Sequence, residues 1–229
     1  MTASMLPVPS FFLRSGTTRR PCFRRRACAA LLAIGMLGAH GSAHAEVRVG
    51  AVEQAQGEAM AAQAGHRHSL TPGAEVLSND TLLTYSDSRL AVRLLDDTQL
   101  TLGESAILRI DRFVYDPSGS HNSLSIRALR GAFLFVGGRV EEGAGARVNI
   151  QTPLATLGIR GTMVWGGPID DGFGVFVQSG QVVVSNTRGR VILGPGQGTM
   201  LRRRQAPESV KTWPADKVQR ALATVALRR

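Results

Sequence analysis

The side chains whose type and spacing could do chemistry are few: three pairs of adjacent carboxylates, two histidines two positions apart, and one arginine set between glycines. Asp96-Asp97, Glu141-Glu142 and Asp170-Asp171 could in principle divide general-acid from general-base work. Neighbours on a strand point to opposite faces, and each pair sits among turn-forming residues, so the expectation is solvated turn carboxylates. His66 and His68 could present both imidazoles on one strand face, but the third ligand that a metal would want is no nearer than His121. No serine lies in a nucleophile-elbow motif. Gly194-Pro195-Gly196-Gln197-Gly198 lacks the lysine and hydroxyl residue of a phosphate-binding loop, and its proline removes a backbone donor, so it reads as a turn. These residues imply no enzyme, no metal and no cofactor.

Arg160 stands apart. It belongs to the stretch 150–162, in which Val148 and Ile150 share a face, Pro153 interrupts the register, and Ala155, Leu157 and Ile159 resume the alternation. That pattern predicts a half-buried strand broken by a bulge or bend, with Thr156, Gly158, Arg160 and Thr162 on the opposite face. Gly158 and Gly161 flank Arg160, offering positions where another backbone can approach or φ can turn positive. A long cation among glycines is expected to be held by the fold, as a buried or half-buried hub donating to loop carbonyls. The competing expectation is that Arg160 contacts a ligand.

The elements that position this stretch are short alternating segments separated by turns. Leu90, Val92 and Leu94 face one way, Asp96-Asp97 turns the chain, and Leu100 and Leu102 continue the apolar face, so the pair predicts a hairpin. Leu108 and Ile110, then Leu124, Ile126 and Ala128, then Phe133 and Phe135 repeat the period of two. Strands are likewise predicted at Val47 and Val49, more weakly at 58–63, and separately at Phe173 to Val177, at Val182 and Val184, and at Val191 to Leu193. Gly65-His66-Arg67-His68 reads as a polar turn. The connections are too short for crossover helices, so the fold class is all-β: a compact antiparallel or solenoid-like domain of many short strands.

A threonine-proline pair followed by an alternating strand that ends in Arg160-Gly161-Thr162 resembles the signature of FecR-like domains. Ser78-Asn79-Asp80-Thr81, the strand pair around Asp96-Asp97, Gly131-Ala132-Phe133-Leu134-Phe135-Val136, and the turn 193–198 are similar to further segments of that family, in the same order, over about 47–201. The chain has Asp96-Asp97 where the family usually turns with aspartate-glycine. It also has Met163 where an acidic residue often follows the signature threonine, so no role of that acid carries over. The resemblance makes Thr152, Pro153, Thr156, Gly158, Arg160, Gly161 and Thr162 the candidate binding or structural signature. It implies a non-enzymatic periplasmic module that recognises a protein partner in envelope signalling or regulation. FecR-like regulators of iron uptake couple an outer-membrane receptor to a sigma factor through a transmembrane helix and a cytoplasmic segment, neither of which is read here. The alternative from another class is a module binding peptidoglycan or another glycan.

Residues 1–45 read as a secretory signal peptide. Six arginines and no acid precede the apolar run 27–39, and Ala43-His44-Ala45 gives a small-x-small cleavage pattern before Glu46. The run is short against the ~20 residues that span a bilayer, so no transmembrane segment is expected in the mature chain. Pro21-Cys22-Phe23 after Thr18-Arg19-Arg20 fits a twin-arginine signal poorly, which favours general secretion into the periplasm. Cys22 and Cys28, the two cysteines, both lie in this leader, so the mature chain would have neither disulfide nor thiol chemistry.

The formal charge of +10 is concentrated at the two ends. Residues 46–200 carry 13 basic and 15 acidic side chains, which together with export argues against nucleic acid as a partner. After Met200 a basic linker is expected over 202–212 and a short amphipathic helix over 213–229, opened by Trp213-Pro214. Val218, Ala221, Leu222 and Val225 fall at i, i+3, i+4 and i+7, a stripe that must dock; docking on its own domain is expected over docking on a partner.

Overall fold

The computed structural model describes residues 47–119 and 121–227. The expected leader and both cysteines lie outside the described residues. The strands are β1 (Arg48–Gln56), β2 (Ala59–Gln63), β3 (His66–Ser69), β4 (Glu75–Leu77), β5 (Thr81–Thr84), β6 (Arg89–Leu94), β7 (Gln99–Leu102) and β8 (Ile107–Val114). They continue as β9 (Ser123–Arg130), β10 (Phe133–Val136), β11 (Arg147–Gln151), β12 (Thr156–Ile169), β13 (Gly172–Asn186), β14 (Gly189–Leu193), β15 (Gln197–Leu201) and β16 (Lys211–Thr212). A 3₁₀ turn at Arg139–Glu141 and the helix α1 (Ala215–Ala223) complete the described elements.

All the strands belong to one sheet, ordered β3-β2-β5-β8-β9-β11-β12-β10-β7-β6-β1-β4, with β13 to β16 branching from β12. Among the described residues the fold is all-β with a single short C-terminal helix, as the alternation and the stripe at Val218 to Val225 predict. Val49 and Val52 of β1, Leu124 and Ile126 of β9 and Leu157 of β12 share one buried cluster, so the sheet curls and closes one face around a common core. Pairings are antiparallel except β9 with β11. Between those two the chain leaves for the other arm of the sheet, where β10 pairs with β7 and β12.

The crossing between the arms is made by β12 and β13, a long hairpin. One half of β12 pairs with β11 and the other with β10; one half of β13 pairs with β14 and the other with β15. Where the arms meet, Gly161 at φ +63° and Gly180 at φ +79° occupy the left-handed region, and the β12–β13 register shifts. A β-carbon on Gly180 would collide with the Gly161 carbonyl. The shift inverts which residues face the core: Leu157 and Ile159 before it, Val164 after it. In β13 likewise, Val175 and Val177 face the core before Gly180, and Val182 and Val184 after it. The two strands expected at 173–177 and 182–184 are therefore one, bent at its glycine. Of Gly65-His66-Arg67-His68, expected as a turn, the last three residues belong to the exposed edge strand β3; the reversal itself falls at Ala64 and Gly65.

The C-terminal stripe docks on its own sheet. Ala221 and Val225 are buried with Ala132, Trp165, Phe176, Met200 and Trp213, and Val218 and Leu222 pack against them. Trp213 stacks on Phe176 with centroids 5.3 Å apart and meets Trp165 edge-on at 6.0 Å. Asp170 pairs with Arg220 at 2.7 Å and Lys217 at 2.9 Å, which holds its carboxyl down at about 2. The stretch expected as a linker returns along β15: the Glu208 amide donates to the Met200 carbonyl, and β16 pairs with β15. Among the described residues no helix is long and apolar enough to cross a membrane.

Candidate functional site

The signature residues divide between two tasks. Thr152 and Ala155 close a tight hairpin. The Thr152 hydroxyl donates to the Ala155 carbonyl and accepts from the Leu154 and Ala155 amides, and the backbone pairs Gln151 with Thr156. Pro153 therefore sits in a reversal between β11 and β12, and not in a bend of one strand as expected. Thr162 is 4% exposed, because the shift at Gly161 moves it from the face of Arg160 to the core side.

The corner at Gly161 is held by acids that the sequence suggested were solvated. Asp96 is fully buried: it accepts from the Thr98 amide and hydroxyl, and its side chain and carbonyl take the Val140 and Arg139 amides at 2.9 and 2.8 Å. Those bonds fix the 3₁₀ turn, which places the half-buried Glu141 against the corner. There Glu141 accepts from the Thr162 amide at 3.2 Å. Burial pushes the Glu141 carboxyl above its ordinary range, against the pull of the Gly161 and Thr162 amides, and the nearby Asp96 charge adds to the rise. The aspartate turn and the Arg160-Gly161-Thr162 segment are thus joined through Glu141. Asp97, at φ +69°, makes the turn that the sequence suggested.

Arg160 itself is exposed. Its guanidinium makes no hydrogen bond and no ion pair with any described residue, which corrects the expectation of a buried hub. It borders a depression of about 400 Å³ on the outer face of β11, β12, β13 and β14. Gly158 lies opposite Asn149 on one side and Val183 on the other, and Val183 lies opposite Ile192, so these four form one row across four strands. Arg147 and Gln181 flank that row on Arg160's side, and Arg190 flanks it on the other. Thr156, paired with Gln151 and Ser185, is exposed further along the same face.

Several outward arginines elsewhere on the sheet carry an acid. Asp111 pairs with both Arg109 and Arg127, Glu53 with Arg93, Glu75 with Arg48, and Asp97 with Arg139. Arg147, Arg160 and Arg190 meet no acid among the described residues. The sequence pointed to Arg160 alone; Arg147, Asn149, Gln181 and Arg190 join it only through cross-strand register, which alternation does not reveal. His66 and His68 lie on β3, and among the described residues no three ligating side chains gather for a metal. Chemically, the site can bind and orient an anion through guanidinium and amide donors.

Comparison with known proteins bears on residues 80–191, which match the family model described as FecR protein. The matched region spans the aspartate turn, the signature and the start of β14. Two crystal structures of a "putative anti-sigma factor from Parabacteroides distasonis ATCC 8503" resemble the chain at 17% identity and a TM-score of 0.49. Each alignment covers 62% of this chain and 63% or 64% of the other, so the chain spans less than two thirds of either. No curated protein matches.

Proposed function

We propose, from the premise that this chain is a FecR-domain protein, that it is an exported, non-enzymatic recognition module in envelope signalling or regulation. It binds a protein partner through the outer face of β11 to β14. The observation that carries this reading is Arg160: it stands in the signature strand at the surface, and its guanidinium meets no partner among the described residues. The helical stripe, the other candidate contact, is occupied in the second core. Export rests on the arginine-rich leader, the apolar run and Ala43-His44-Ala45, with cleavage before Glu46 releasing the mature chain to the periplasm.

Capture from envelope extract tests this. The mature chain should retain a protein partner, and Arg160→Gln should lower the yield about tenfold, the size of losing one charge-assisted hydrogen bond. The melting temperature of that variant should stay within a degree or two of the parent, because no internal acceptor loses its donor. A large fall in melting temperature would restore Arg160 to a structural role. Retention on peptidoglycan with no protein recovered would favour the glycan-binding alternative, although the residues lining the depression include no aromatic ring on which a sugar could stack.

A further inference from the structure

We propose that the depression on β11 to β14 takes a carboxylate-rich, extended protein segment; this deepens, and rests on, the partner-binding reading above. Arg147 and Arg160 lie one position beyond the Val148–Ile159 pair, side by side on the outer face of adjacent strands. Like charges opposite one another destabilise a sheet. Elsewhere this sheet relieves such crowding with an acid, as Asp111 does between Arg109 and Arg127. Here it does not, and Arg190 adds a third cation on the other flank of the same row. The cost of that arrangement is recovered when carboxylates arrive, because each guanidinium presents a planar fork of donors that matches a carboxylate.

The shape selects an extended chain. Asn149, Gly158, Val183 and Ile192 are register neighbours on four adjacent strands, so the row is about 14 Å long at the usual strand spacing. That is the reach of roughly four extended residues. Gly158 has no side chain, which lowers the floor between its neighbours. Ile192, 50% exposed, and Val183 give an aliphatic spot beside the cations, and Asn149 and Gln181 offer amides to a peptide backbone. Acidic side chains next to an aliphatic one satisfy all of these groups, whereas a bare phosphate or a lipid headgroup satisfies the arginines alone.

The probe is a fluorescent decapeptide repeating Glu-Glu-Leu-Leu, which puts glutamate and leucine in turn on each side of an extended chain, titrated against the mature chain from Glu46 by anisotropy at two salt concentrations. Binding should weaken as salt rises, and Arg147→Gln, Arg160→Gln and Arg190→Gln should each weaken it about tenfold with unchanged melting temperatures. Arg112→Gln on β8, exposed but outside the depression, should leave it unaltered. The same peptide with lysine for glutamate should not bind. Equal binding by the three variants, or displacement of the peptide by millimolar inorganic phosphate or by phosphatidylglycerol vesicles, would overturn the proposal. If the peptide fails while capture of a protein partner still depends on Arg160, the acidic-segment inference falls and the recognition reading stands. If the peptide binds through the arginines but no envelope protein is captured, the recognition reading falls.

Discussion

At the scale of residues, Glu141 is a half-buried carboxyl whose environment makes the molecule respond to pH. Its carboxylate grips the corner of the long hairpin, and one of its oxygens is buried without a partner among the described residues. Burial raises its folded pKa above the ordinary 4.5, so between that value and the raised one the native state holds a proton that the unfolded chain has released. Stability from this group is present in full below the unfolded pKa and declines as pH rises through the raised one. Glu141→Gln keeps an acceptor for the Thr162 amide and removes the titration. Denaturant melts from pH 4 to 8 should therefore show the parent losing stability relative to the variant as pH rises; a constant difference would contradict this account. Asp96→Ala should cost about 3 kcal/mol, because it strands buried donors of Thr98 and Val140, and thermal unfolding of the variant would measure it.

At the scale of elements, two units set where the candidate site lies. The β12–β13 hairpin carries the chain between the arms and turns Arg160 outward at its glycine corner, while α1 and Trp213 cover Trp165 and Phe176 on the other half of the hairpin. Trp213→Ala should cost about 3–5 kcal/mol, since it removes the ring that joins Phe176, Trp165 and the helix. Calorimetry would check this, and a loss below 1 kcal/mol would mean that the second core is not needed for folding. The strands and the helical stripe were legible in the sequence because their periods, two and 3.6, are local properties of the chain. The inversion of facing at Gly161 was not, because it depends on pairing with Gly180 nineteen positions away. The same holds for Asp96, read as a solvated turn residue: its partner Val140 lies 44 positions on, and no local pattern announces such a bond. Thr152, read beside a bend at Pro153, closes a hairpin with its hydroxyl, a local bond that the alternation around it does not announce.

At the scale of the whole molecule, the curled sheet has one face committed to the core, and α1 with Trp213 covers only part of the other. On β1, β6, β8 and β9 several arginines are paired with acids. Those on β11, β12 and β14 meet no acid among the described residues, and the FecR-domain match runs through the first two of these strands and into the third. The central claim is that a protein partner lands there. Hydrogen exchange of the chain, alone and with its captured partner, reads the contact directly, because bound surfaces slow the exchange of the amides they cover. Protection should rise at residues 147–149, 158–160, 181–183 and 190–192 and stay unchanged over 213–225. Protection confined to the helix and the Trp213 side, with the four outer segments exchanging as in the free chain, would contradict the account.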